Sequence, residues 1–108
     1  MDSLAALADP TRRRIVELLA ERELSAGEIA ARFAISAPAI SQHLKVLRAA
    51  ALVRMRIDAQ RRIYELDPDG LAALDQWLAR IRQSWRGRLG TAERRLIKRA
   101  RESEGPKA

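Results

Sequence analysis

The chain has no cysteine. Disulfides, thiolate metal sites and cysteine nucleophiles are therefore excluded together. Histidine occurs once, as His43, too few ligands for a metal site of the usual kind. A Gly-rich phosphate loop and clustered carboxylates are also missing, so the parts of an enzyme are not here and no cofactor is expected. No apolar run reaches the 18 residues of a membrane span. The start of the chain, with Asp2 and no apolar run leading to a small-residue cleavage site, does not read as a signal peptide, and the cytoplasm is the expected location. Aromatics are limited to Phe33, Tyr64, Trp77 and Trp85, so the core must be mostly Leu, Ile, Val and Ala, which favours helices.

Basic charge is what the chain has in excess. Among 108 residues, 21 are Lys or Arg and 14 are Asp or Glu, a net charge of +7. Such a field attracts polyanions, with nucleic acid the leading partner. The length suits one modest core, expected over residues 1–90, with a basic extension over 91–108 that is partly helical and loses order from Glu102 onward.

Asp9-Pro10 is a helix start, an Asp cap followed by a proline at the first helical position. The helix runs to about Arg22 with Ile15, Leu18 and Leu19 on one face, after a short helix over 3–8 that presents Leu4 and Leu7. Ser25-Ala26-Gly27-Glu28 is a capping box, stapled by Leu24 and Ile29, and its helix ends near Phe33. A three-residue connection leads to a helix capped by Ser36, with Pro38 in its first turn and an end near Ala50. Two helices joined this tightly form a helix-turn-helix. In the second, Ile40, Leu44 and Leu47 make an apolar stripe, while Ala37, Pro38, Ser41, Gln42, Lys45 and Arg48 form a polar, basic arc.

The period then changes to two. Val53, Met55 and Ile57 alternate with Arg54 and Arg56, and Arg62 to Leu66 form a second β-prone run, which together predict a hairpin turning at 58–60 without glycine. The fold class is thus mainly α with a small β-hairpin, a winged helix-turn-helix. A long helix follows, in which Leu71, Leu74, Leu78, Ile81 and Trp85 are spaced 3, 4, 3 and 4, a seam suited to another helix. Gly87 and Gly90 should weaken that helix, which can resume with Leu89 and Leu96.

These features point to double-stranded DNA. Ser41 and Gln42 suit base edges and Lys45 and Arg48 suit phosphates, although an isolated helix with such an arc would read as a solvated face. His43, at the edge of the apolar stripe, either packs internally or touches DNA. Arg54, Arg56, Arg61 and Arg62 make the hairpin a basic wing, or else an edge ribbon kept soluble by charge. Arg12, Arg13 and Arg14, and the basic residues from Arg94 to Arg101, read first as solvated helix faces. The seam has few partners within so small a domain, which favours a homodimer.

The chain resembles the ArsR family of bacterial transcription regulators. The likeness rests on Leu7-Ala8-Asp9-Pro10-Thr11-Arg12-Arg13, Ser25 to Ile29, Ser36 to Arg48 and the Arg-rich strand ending in Tyr64, and covers about residues 3–89. It implies a homodimer joined by its first and last helices, with Leu4, Leu7, Leu71, Leu74, Leu78, Ile81, Trp85 and Leu89 at the interface. It also implies base reading around Ser41, Gln42 and His43 and repression by occupancy of an inverted-repeat operator. Metal-sensing members carry two cysteines at positions that here are Ser25 and Gly27, and the last-helix segment from Asp69 to Leu89 offers only Asp69 and Asp75 as ligands, so a metal sensor of the usual kind is not expected. Trp77-Leu78 and Trp85 followed by Leu89 resemble a cysteine-free branch often encoded beside a small ligand-binding or membrane protein, which implies control of a neighbouring gene or of its own. The competing reading is a non-specific architectural DNA-binding protein, which would bind most sequences alike.

Overall fold

A computed structural model describes residues 2–104, apart from the side chains of Leu89, Ala92, Ser103 and Glu104. The helix starts are where their caps place them. Helix α1 spans Asp2–Ala6 and α2 spans Pro10–Glu21, whose cap Asp9 accepts the Arg12 N–H at 3.1 Å. Helix α3, Ala26–Ala30, opens on the complete capping box: Ser25 Oγ accepts from Glu28 N, and Glu28 Oε1 accepts from Ser25 N. It ends three residues before Phe33, because Arg32 N and Phe33 N bond the carbonyls three residues back and tighten the chain into a turn. Helix α4, Ala37–Ala49, begins at Ser36, whose hydroxyl accepts from Ala39 N.

The chain leaves α4 through a Schellman turn: Ala51 N bonds Arg48 O and Leu52 N bonds Leu47 O. Ala51 takes φ 58° there, the left-handed conformation usually given to glycine. A three-stranded antiparallel sheet follows, ordered β1-β3-β2, from β1 (Leu24–Ser25), β2 (Val53–Asp58) and β3 (Arg61–Leu66). The hairpin is the expected one, closed by Asp58 opposite Arg61, with Ala59 at φ 57° taking the glycine role. Strand β1 is an addition to the expected fold; its two residues pair with Tyr64 and Ile63. The ribbon outruns the core, so Ile57, which fits the apolar alternation, stands exposed at its outer end.

The chain divides into two units, residues 1–74 and 75–108. The core of the first gathers Ile15, Leu18 and Leu19 of α2, Ile29 of α3, Ile40, Leu44 and Leu47 of α4, and Leu24, Val53 and Tyr64 of the sheet. Leu7, Leu71 and Leu74 pack against that core. The second unit is helical, the continuation of α5, which runs Pro68–Glu104 through Gly87 and Gly90 without a break. The loss of order expected from Glu102 onward falls on residues 102–104, which are helical, and on 105–108, which lie outside the described residues. Within the first unit, a Cβ on Gly70 would overlap the Ala51 carbonyl oxygen, so glycine is what lets α5 start against the end of α4.

Candidate nucleic-acid interface

Helix α4 buries Ile40, Leu44 and Leu47 and leaves Ala37, Pro38, Ser41, Gln42, Lys45 and Arg48 exposed, the arc read from the sequence. At 100° per residue, Gln42 and Lys45 project roughly opposite the buried stripe, and Ser41 and Arg48 lie on one shoulder. Lys45 and Arg48 also line a groove of about 460 Å3 with Arg54, which brings wing and helix cations to one place.

His43 is not in that arc. It sits half-buried on the other shoulder with Val46, and its Nδ1 lies 3.3 Å from Nη1 of Arg12. A guanidinium can only donate, so Nδ1 accepts and the ring proton resides on Nε2. Arg12 is itself held, its Nε donating to Ala6 O at 2.6 Å, and Arg13 donates to Leu7 O and Ala8 O. Two members of the arginine run therefore cap the carbonyl end of α1. The third, Arg14, pairs with Glu17. This chain of bonds ties α1 to α2 and to α4. The Arg12 N–H also holds the Asp9 carboxyl below its ordinary value against the opposing effect of burial, with smaller help from the Thr11 N–H.

The four wing arginines are not equivalent. Arg54 pairs across the ladder with Glu65 at 2.9 Å, Arg56 with Glu23 at 2.6 Å, and Arg61 with Glu28 at 2.8 Å. Glu23 raises Arg56 above its ordinary value, first by hydrogen bonding and then by charge. Among the described residues, Arg62 alone of the four has no carboxylate partner. The sequence shows four equal cations because these partners lie 11 to 33 residues away. Gln60, Arg61 and Arg62 share a groove of about 400 Å3 with Ser25, Ala26 and Gly27, so the wing tip lies beside the start of the helix-turn-helix. Glu28 serves both: hydrogen bonds from the backbone and hydroxyl of Ser25 lower its carboxyl below the ordinary 4.5, and Arg61 adds to that lowering.

Of the residues assigned to a dimer interface, Leu4, Leu78, Ile81 and Trp85 are exposed, whereas Leu7, Leu71 and Leu74 already contribute to the core of their own chain. The Leu89 side chain lies outside the described residues. Among the described residues no helix is long and apolar enough to cross a membrane.

The arsR family of bacterial regulatory proteins matches residues 9–54, which hold α2, the helix-turn-helix and the first wing residues. The HTH-type transcriptional regulator Rv2034 of Mycobacterium tuberculosis is 59% identical over 69 residues, 64% of this chain and 64% of that protein, just under two thirds of its length. The transcriptional repressor SdpR of Bacillus subtilis is 38% identical over 73 residues, 68% of this chain and 81% of that one. Among solved structures, a possible transcriptional regulator for arsenical resistance is 47% identical with a TM-score of 0.68, over 75% of this chain and 84% of that one. An ArsR-like transcriptional regulator from Rhodococcus sp. RHA1 is 31% identical with a TM-score of 0.72, over 86% and 88%.

Proposed function

The chain belongs to the ArsR family of bacterial transcription regulators, winged helix-turn-helix proteins and not enzymes, and from that premise we propose that it is a repressor that occupies an inverted-repeat operator as a homodimer. The observation that carries this reading is α4: a helix capped by Ser36 exposes Ser41, Gln42, Lys45 and Arg48 while its other face is locked into the core. In the major groove, Ser41 and Gln42 meet base edges, Ala37 and Pro38 approach the groove at the helix start, and Lys45 and Arg48 meet phosphates. His43 takes a supporting role, held by Arg12 on the helix shoulder. The wing follows the backbone toward the minor groove, with Arg62 its uncompensated cation and Arg54, Arg56 and Arg61 held beside it.

The two-fold partner is a second copy, joined through Leu4 of α1, Leu7 just after it, and Leu71, Leu74, Leu78, Ile81, Trp85 and Leu89 of α5. Exposed Leu78, Ile81 and Trp85 on one side of α5 support this pairing. The protein acts in the cytoplasm, on residues 1–90 for reading and dimerisation, with 91–108 as a basic extension. The test is a footprint of the purified protein on its own promoter region against unrelated competitor DNA of equal length. Protection of an inverted repeat that survives the competitor supports the repressor. Equal binding to both DNAs shifts the reading to an architectural protein, and replacing Gln42 and Lys45 by Ala without loss of affinity refutes the assignment to α4.

A further inference from the structure

The positive charge is unevenly placed. Residues 1–74 carry eleven basic and ten acidic side chains, a net +1, and residues 75–108 carry ten basic and four acidic, a net +6. The winged unit is almost neutral by formal charge, and most of the excess lies on α5 beyond Leu74.

Within that helix the cations follow a pattern. Leu78, Ile81 and Trp85 occupy one side at steps of 3 and 4, and the same steps then lead to Arg88, Ala92, Arg95 and Arg99. At Arg88 the seam changes from apolar to cationic. A second copy of this chain paired along these positions would set arginine against arginine, so the cationic part of the seam is unfavourable for helix pairing. Arg88, Arg95 and Arg99 line one groove of about 750 Å3, whose remaining walls are Ser84, Gly87, Thr91 and Leu96. They stand roughly 10 Å and 6 Å apart along the axis. All three are exposed, and among the described residues none has a carboxylate partner, whereas Arg82 pairs with Asp75 and Lys98 with Glu102. Ser84, Gly87 and Thr91 are small, with Leu96 the bulky wall, and they leave room for anions to lie along the helix beside the three guanidinium groups.

We infer that Arg88, Arg95 and Arg99 form a track for the phosphate backbone of double-stranded DNA, separate from the contact made by α4. The inference rests on the DNA-binding reading above and adds a second, sequence-independent contact to it. Guanidinium groups on one face bind phosphates in a row and displace condensed counterions, which gives affinity without readout.

The test uses the full chain and two charge-matched triple variants. Arg88→Gln with Arg95→Gln and Arg99→Gln removes the track; Arg80→Gln with Arg94→Gln and Arg101→Gln removes three exposed arginines elsewhere on the helix. Binding to a duplex of unrelated sequence is measured against salt. The track variant is expected to lose at least about tenfold in affinity near 0.1 M salt and to lower the log–log salt slope by about two to three, with less than half that effect from the other triple. A third variant with lysine at 88, 95 and 99 keeps the slope. Equal effects of the two glutamine triples overturn the track, as does an unchanged slope or a lysine variant as weak as the glutamine one. Loss of binding to anionic phospholipid vesicles without loss on DNA also overturns it and assigns the helix to a lipid surface. If no operator is found but the track triple selectively weakens DNA binding, the repressor reading fails and the track stands. If an operator is protected equally by wild type and track variant with equal slopes, the reverse holds.

Discussion

Replacing the wing arginines one at a time should reveal an order that their sequence conceals. An arginine that meets phosphate adds to the salt slope only as far as its charge is not already balanced, and each phosphate neutralised on B-form DNA contributes about 0.9 to that slope. Among the described residues Arg62 has no carboxylate partner, so Arg62→Ala should lower the slope by about 0.9 per wing, or about 1.8 for a dimer with both wings engaged. Arg56→Ala removes a cation together with its hold on Glu23, 2.6 Å away, and leaves that carboxylate bare, so it should weaken binding with little slope change at low salt. Glu28→Gln is the inverse experiment. It keeps a side chain able to accept the Ser25 N–H, removes the counter-charge of Arg61, and should raise both affinity and slope, the latter by up to about 0.9 per wing. The assay is fluorescence anisotropy of a labelled operator duplex from 50 to 300 mM salt, with thermal unfolding as a check on the fold. Equal slope losses for Arg62→Ala and Arg56→Ala, or a lower slope for Glu28→Gln, would show that the ion pairs do not govern which wing cations reach DNA.

Other outcomes follow from the joints between elements. Gly70→Ala drives a Cβ into the Ala51 carbonyl and should destabilise the winged unit by several kcal/mol, roughly what separates a folded from an unfolded small domain, read as a lowered denaturation midpoint. Ala51→Gly relieves a left-handed alanine in the Schellman turn and should raise stability by about 1 kcal/mol; a loss of stability there would contradict the assigned backbone. The lowered carboxyl values of Asp9 and Glu28 stabilise the fold above their ordinary values, and that stabilisation disappears as pH falls through the lowered native ones. The Tm should therefore fall on acidification below about pH 4.5, less steeply in the Asp9→Asn, Glu28→Gln double variant, and parallel curves would remove these caps as the cause. Long-range 1H–15N spectra of the lone histidine should show the proton on Nε2, and Arg12→Gln should mix the two forms.

The helix starts were legible because each cap is local: Asp9, Ser25 and Ser36 each bond an N–H three residues ahead. The hairpin was legible from its period of two even without a turn glycine, since Ala59 bears the left-handed conformation in its place. Strand β1 was not, because two residues have no period, and their pairing with Tyr64 and Ile63 is a tertiary event. The polar arc of α4 could be drawn from a helical projection, but the role of His43 depended on Arg12, 31 residues away. Likewise Arg12 and Arg13 looked like surface charge, and only the position of the α1 carbonyls shows why they stand there. The uneven charge of α5 was countable from the first, yet its track depended on a helix that passes through Gly87 and Gly90 instead of stopping.

Ser25 ends strand β1, paired with Ile63, and in the same residue caps α3. The chain thus leaves no flexible residue between the sheet and the first helix of the helix-turn-helix. A ribbon that bends against DNA transmits its torque directly into α3. At the other end of α3 the turn over residues 31–36 is the one stretch between the sheet and α4 that is neither strand nor helix. Stiffening that turn, with its caps intact, would leave a protein that folds as before but with less freedom for α4 to adjust against DNA.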